Sequence, residues 1–122
     1  MIILDLPLPP SVNHYYGRNK QGKFFIKPEG KKFRQIVAWK SLGRHLDPEK
    51  NIKKTLMYGM PDRRRRDVDN PLKCLFDALT NANVYTDDSK IFELHIIKKL
   101  DPQKMGYVLV MLEEIEGGYD ES

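Results

Sequence analysis

The chain has 122 residues and a mass of 14.3 kDa, with 40% hydrophobic and 31% charged residues. That length holds one domain able to remove roughly two-thirds of its unfolded surface from water, and the composition excludes a disordered chain, while no apolar run approaches the roughly 20 residues of a spanning helix. The net charge of +4 divides into +11 for residues 1–66 and −7 for residues 67–122, which reads either as a polyanion-binding half beside a carboxylate-rich half or as two solvated faces.

Ile2, Leu4 and Leu6 alternate around Ile3 and Asp5 and predict a short strand, ended by the prolines at 7, 9 and 10. Asp5 and the absence of a basic start predict no signal peptide, and the single Cys74 forms no internal disulfide and fits a reducing compartment. Residues 11–28 read as a basic, aromatic, glycine-punctuated loop in which Phe24 to Lys27 pair as a small hairpin. From Glu29 to about Leu46, Phe33, Ile36, Trp39, Leu42 and Leu46 fall at helical spacing, with Lys31, Lys32, Arg34, Lys40 and Arg44 on a basic exposed side. Pro48 ends that helix, and Ile52 to Met60 reads as a strand.

Asn70 is a suitable N-cap and Pro71 a suitable first helical residue for a second helix, running to about Asn81. Leu72, Leu75, Phe76 and Leu79 form its apolar stripe, with Lys73 and Asp77 off it. Beyond it, Phe92, Leu94 and Ile96 predict a strand with one face inward, and Tyr107 to Leu112 a central strand covered on both sides. The acidic residues from about 114 onward are expected to fray. The expected architecture is an α+β single domain over residues 1–122, a mixed β-sheet with two main helices, ordered strand, hairpin, helix, strand, helix, strand, strand.

The chemistry concentrates between Asp62 and Lys90. Asp67 and Asp69, two apart in an extended segment before the helix, project to one side as converging oxygen donors. Two such carboxylates repel unless a cation joins them, and Mg²⁺ prefers octahedral oxygen ligation by one or two carboxylates with water and phosphate. Asp87-Asp88 precedes the next strand, and a turn at 81–83 allows Asp88 to meet the first pair. Arg63, Arg64, Arg65 and Arg66 suit phosphate docking, and Lys73 suits offsetting charge on a leaving oxygen. Together these imply phosphodiester hydrolysis; singly, each reads as well as a cap, a turn, a solvated charge run or a surface ion pair.

Arg65-Arg66-Asp67-Val68-Asp69-Asn70-Pro71-Leu72-Lys73, Asp77-Ala78-Leu79, Asp87-Asp88-Ser89-Lys90-Ile91 and the opening Pro9-Pro10-Ser11-Val12-Asn13 resemble the signature of RusA-type Holliday junction resolvases. The resemblance implies a RusA-like fold and a homodimeric, Mg²⁺-dependent endonuclease that resolves four-way DNA junctions by paired cuts, with Mn²⁺ as a substitute and no nucleotide cofactor. It implies Asp67, Asp69 and Asp88 as catalytic metal ligands, Lys73 as the catalytic lysine, and a bacterial or phage protein working in the cytoplasm without a membrane. Where the family often has glycine after the Asp-Ala-Leu helix this chain has Ala82-Asn83, and asparagine tolerates the left-handed turn.

In the N-terminal loop, Arg18, Lys20 and Lys23 are placed to hold a DNA backbone while Tyr15, Tyr16 or Phe24 wedges among unpaired bases. The alternatives to a junction resolvase are a less selective branched-DNA nuclease, a non-catalytic basic DNA-binding module and a small-molecule phosphohydrolase.

Overall fold

Alternation of apolar side chains along the strands builds one buried sheet face, and the helices pack on it. In the computed structural model, which describes residues 1–66 and 69–116 and only the backbone of Asn70, the elements run β1 (Ile2–Leu6), α1 (Val12–Tyr15), β2 (Tyr16–Arg18), β3 (Phe24–Ile26), α2 (Pro28–Lys40), β4 (Asn51–Met60), α3 (Asp69–Asn81), a 3-10 turn (Asp88–Lys90), β5 (Ile91–Leu100) and β6 (Tyr107–Ile115). The main sheet has the order β1-β6-β4-β5, and β2 with β3 forms a separate hairpin. Its β1–β6 and β6–β4 pairs are antiparallel, and β4–β5 is parallel. A parallel pair cannot be closed by a tight turn, so α3 serves as the crossover. The expected α+β class with a mixed sheet is what the chain adopts.

Register sets the core. Ile2, Leu4 and Leu6 lie opposite Leu112, Val110 and Val108, which in turn lie opposite Lys54, Leu56 and Tyr58, and all of these are buried. From α3, Cys74, Leu75, Ala78 and Leu79 enter this core fully buried. Burial of each such leucine contributes roughly 1.5–3 kcal/mol relative to exposure. Leu72 and Phe76, expected in the buried stripe, are only partly buried and border a cleft. The other sheet face carries Ile3, Met57, Leu109 and Met111, partly or largely exposed. So β6 is central, as expected, yet it is not covered on both sides.

Four local expectations change. Residues 12–15, read as loop, make a helical turn whose last carbonyl, on Tyr15, accepts from Lys27 N at 2.8 Å. Helix α2 stops at Lys40, where Ser41 Oγ donates to Val37 O at 2.7 Å and Gly43 takes φ +75°. Its buried positions are Gly30, Phe33 and Val37, while Trp39 and Leu42 are 72% and 80% exposed. The phase is set by Gly30: a Cβ there would lie 2.6 Å from Tyr15 O, so only glycine lets α1 and α2 approach this closely. In β5, a register shift between Ile52 and Lys53 takes Phe92 out of the ladder, and at this sheet edge Phe92 and Leu94 stay exposed while Ile96 reaches the core. Strand β6 continues to Ile115, so residues 113–115 belong to the sheet, whereas residues 117–122 lie outside the described residues.

Helix α3 begins at Asp69 itself, two residues before the start expected at Pro71. Pro71 therefore sits in the first turn, where backbone N–H groups have no intrahelical acceptor in any case. After the helix, Asn83 adopts φ +59°, the left-handed turn expected of it. Among the described residues no helix is long and apolar enough to cross a membrane.

Candidate active site and nucleic-acid surface

One face of α3 forms the wall of an open cleft of about 590 Å³: Asp69, Leu72, Lys73, Phe76, Asp77 and Thr80 recur at helical spacing along it. Tyr16 at the start of β2 and Asp88 at the start of the 3-10 turn complete the lining. The structure thus brings Asp69, Lys73 and Asp88 to one cleft. Asp69 does so as the first helical residue and not from an extended segment; Asp67, with which it was expected to pair, lies outside the described residues. Asp87 has a local task, since its carboxylate accepts from Ser89 N at 3.0 Å and caps the turn that presents Asp88.

The polar lining of the cleft, among the described residues, consists of carboxylates, hydroxyls and the Lys73 ammonium, beside apolar Leu72 and Phe76. Such a donor set fits a hard divalent ion such as Mg²⁺, with Asp69 and Asp88 as the described residues able to hold it. Asp69 lies in the first turn of α3, where the positive end of the helix dipole favours a phosphate close by.

A part-buried network joins this wall to the elements across from it. Arg34 of α2 donates from Nη2 and Nε to Asp77 Oδ2 at 2.6 and 3.0 Å and from Nε to the Tyr15 hydroxyl at 2.9 Å, and that hydroxyl donates to Asp77. Burial, reinforced by Asp77, pushes the Tyr15 phenol well above its ordinary range, so it remains a donor. This ties α1, α2 and α3 together and holds the next residue, Tyr16, with its ring centre 5.4 Å from Lys73 Nζ. Burial also pushes the Tyr16 phenol up to about 12. The sequence shows Asp77 as an off-stripe helix position and part of the Asp77-Ala78-Leu79 motif and Arg34 as an exposed basic position, but not their contact, because neither spacing nor composition marks a contact between distant helices.

Of the wedge candidates, Tyr15 is withdrawn: it is fully buried and engaged with Asp77 and Arg34. Tyr16 is half-buried in the cleft, and Phe24 is 67% exposed near the hairpin turn with Arg18 Cζ 4.4 Å from its ring centre. Arg18, Lys20 and Lys23 are exposed on the same hairpin.

The arginine run divides in two. Arg66 is turned onto Asp62, with Nη1–Oδ1 at 2.8 Å and Nη2–Oδ2 at 3.1 Å, and its carbonyl accepts from Lys98 Nζ at 2.8 Å. Arg63, Arg64 and Arg65 are exposed and line a second open cleft of about 440 Å³ with Lys98 and Lys99. The parallel register, Tyr58 to Lys98 and Gly59 to Lys99, carries those two lysines to the end of β4 where the arginines begin. Sequence reading missed them because strand pairing is needed to see the proximity.

The family model described as Endodeoxyribonuclease RusA matches residues 7–113. Among curated relatives, a crossover junction endodeoxyribonuclease of Enterobacteria phage 82 is 41% identical over 97 residues, 78% of this chain and 80% of the relative. The Escherichia coli K12 protein of that name is 39% identical over the same length, with the same coverage. That of Aquifex aeolicus is 36% identical over 113 residues, 89% of this chain and 86% of the relative. The chain belongs to the RusA family of endodeoxyribonucleases.

Proposed function

We propose that this protein resolves four-way DNA junctions by paired, Mg²⁺-dependent phosphodiester cleavage, acting as a homodimer in the cytoplasm during DNA recombination and repair. The observation that carries the reading is the shared cleft of Asp69, Lys73 and Asp88 beside a surface of exposed arginines. Asp69 and Asp88, with Asp67, hold the ion; Mn²⁺ substitutes. A bound divalent ion supplies activation of water and neutralisation of charge on the phosphoryl group. Lys73 stabilises charge on the leaving oxygen, held at the cleft by α3 and the Tyr16 ring. Arg63, Arg64 and Arg65 dock the backbone, with Arg66 held to Asp62 as their support.

Phe24 stacks on a base at the junction centre, while Arg18, Lys20 and Lys23 grip the flanking phosphates. Dimerisation suits a substrate with two equivalent scissile strands, and the apolar residues Phe92, Leu94, Ile97 and Leu100, exposed on edge strand β5, support an interface. The names and sources of the phage and bacterial relatives support junction cleavage in a bacterial cell.

The test is cleavage of a synthetic four-way junction with Mg²⁺ in the presence of excess linear duplex. Lys73→Ala is expected to lower the single-turnover rate by ~10²–10³ with binding retained; an unchanged rate would remove Lys73 from the chemistry. Phe24→Ala is expected to weaken junction binding by about 1–3 kcal/mol and duplex binding little. Equal loss on both DNAs would show that Phe24 acts without reading the open centre.

A further inference from the structure

Lys54 lies in the middle of β4 on the sheet face that packs against the helices, between buried Ile52 and Leu56, and is itself fully buried. Its Nζ donates to the Tyr85 hydroxyl at 2.8 Å and lies 3.3 Å from the centre of the Phe76 ring, which lines the catalytic cleft. A leucine or methionine would fill this position without the desolvation that an amine suffers there. Burial pushes the Lys54 ammonium well below the usual lysine range, against the attraction of Asp88. No role in the cleavage chemistry described above requires this lysine.

The hydroxyl it touches is shared. Tyr85, buried in the segment between α3 and the 3-10 turn, accepts from Lys54, and Thr80 and Asp88 lie close enough to its hydroxyl to act on it. A phenol has one proton to donate and two lone pairs to accept with. Lys54 donates into one lone pair, and the phenolic proton can be given to the Asp88 carboxylate, the anionic acceptor close to it. Asp88 itself sits on an exposed turn.

We propose that Lys54 and Tyr85 are positioning residues for the metal site: Lys54 orients the Tyr85 hydroxyl, which donates to Asp88 and presets that carboxylate toward the cleft. The inference rests on the reading of Asp88 as a metal ligand. The relay works through hydrogen-bond direction and requires Lys54 to be the donor to the Tyr85 hydroxyl. Partners that orient a ligating carboxylate typically change metal affinity by about 10–100-fold.

The test is Mn²⁺ binding to the full chain without DNA, followed by electron paramagnetic resonance, together with thermal unfolding, for the unsubstituted protein and for Asp88→Asn, Tyr85→Phe and Lys54→Met. Tyr85→Phe and Lys54→Met are expected to weaken Mn²⁺ binding about 10-fold or more, with Lys54→Met unfolding at the same temperature or higher because an apolar side chain replaces a buried amine. Unaltered Mn²⁺ affinity in both, beside weakened binding in Asp88→Asn, overturns the relay and leaves the site reading intact. Unaltered affinity in Asp88→Asn overturns the site reading itself. Should Lys54→Met fail to fold, Tyr85→Phe decides alone.

Discussion

Asp69→Asn is expected to lower Mg²⁺-supported junction cleavage by ~10³ or more while junction binding stays equal or tightens. The substitution is nearly isosteric and removes one negative charge from the cleft. Asp69 occupies the first turn of α3, where asparagine is also well tolerated, so loss of the favourable charge at the helix N-terminus costs only about 0.3–1 kcal/mol. The fold therefore survives, and loss of activity reports on the ligand. Removing an anion beside the DNA path lowers repulsion, which is why affinity does not fall. Asp88→Asn is expected to behave alike, and the double substitution to be little worse than either alone, as the proposed sharing of a metal site by the two carboxylates requires. Gel-shift binding and single-turnover cleavage on the same preparations measure both quantities. Cleavage within a few-fold of the unsubstituted protein would remove Asp69 from the metal site.

Simultaneous replacement of Arg63, Arg64 and Arg65 by alanine is expected to reduce the salt dependence of DNA binding. Each phosphate contact contributes a slope of roughly 0.9 in log affinity against log salt concentration, so the three arginines together contribute about 3. The loss in affinity is expected to be similar for junction and duplex, since phosphate contacts position DNA without reading its form. Arg66→Ala should differ in kind. Its guanidinium is committed to Asp62 and its carbonyl receives Lys98, so its loss disturbs how the segment is held more than how many phosphates it meets. A salt slope unchanged in the triple variant would place the DNA path elsewhere.

The parts of the fold that could be read in advance are those with strong local periodicity. The alternation of Ile2, Leu4 and Leu6 and the stripe through Leu75 and Leu79 each declare an element and its buried side, while the run from Tyr107 declares a central strand but not which face is covered. Asn83 in a left-handed turn follows from side-chain chemistry alone. What was misread depends on partners distant in the chain. Trp39 and Leu42 fit a helical stripe, but Gly30, invisible to a hydrophobic pattern, sets the face that approaches Tyr15. Phe92 and Leu94 look like core until the strand order places β5 at the edge.

The candidate site was legible as a set of residue types and largely illegible as an arrangement. Asp69, Lys73 and Asp88 were nameable from spacing and from the family motif, and one cleft brings them together. The Arg34–Asp77–Tyr15 network joins three helices across separations of 19 to 62 residues, beyond the reach of any local pattern. Lys54 was within reach: simple alternation with Ile52, Leu56 and Tyr58 puts it on the buried face, and a buried lysine asks for a partner.

The most direct measurement is to map incisions on a synthetic four-way junction with each strand labelled in turn, with and without Mg²⁺. Junction resolution by this site predicts paired nicks at symmetry-related positions near the branch point, dependent on Mg²⁺, with linear duplex left uncut. Tight junction binding without incision, or nicking spread equally over linear duplex, would contradict it.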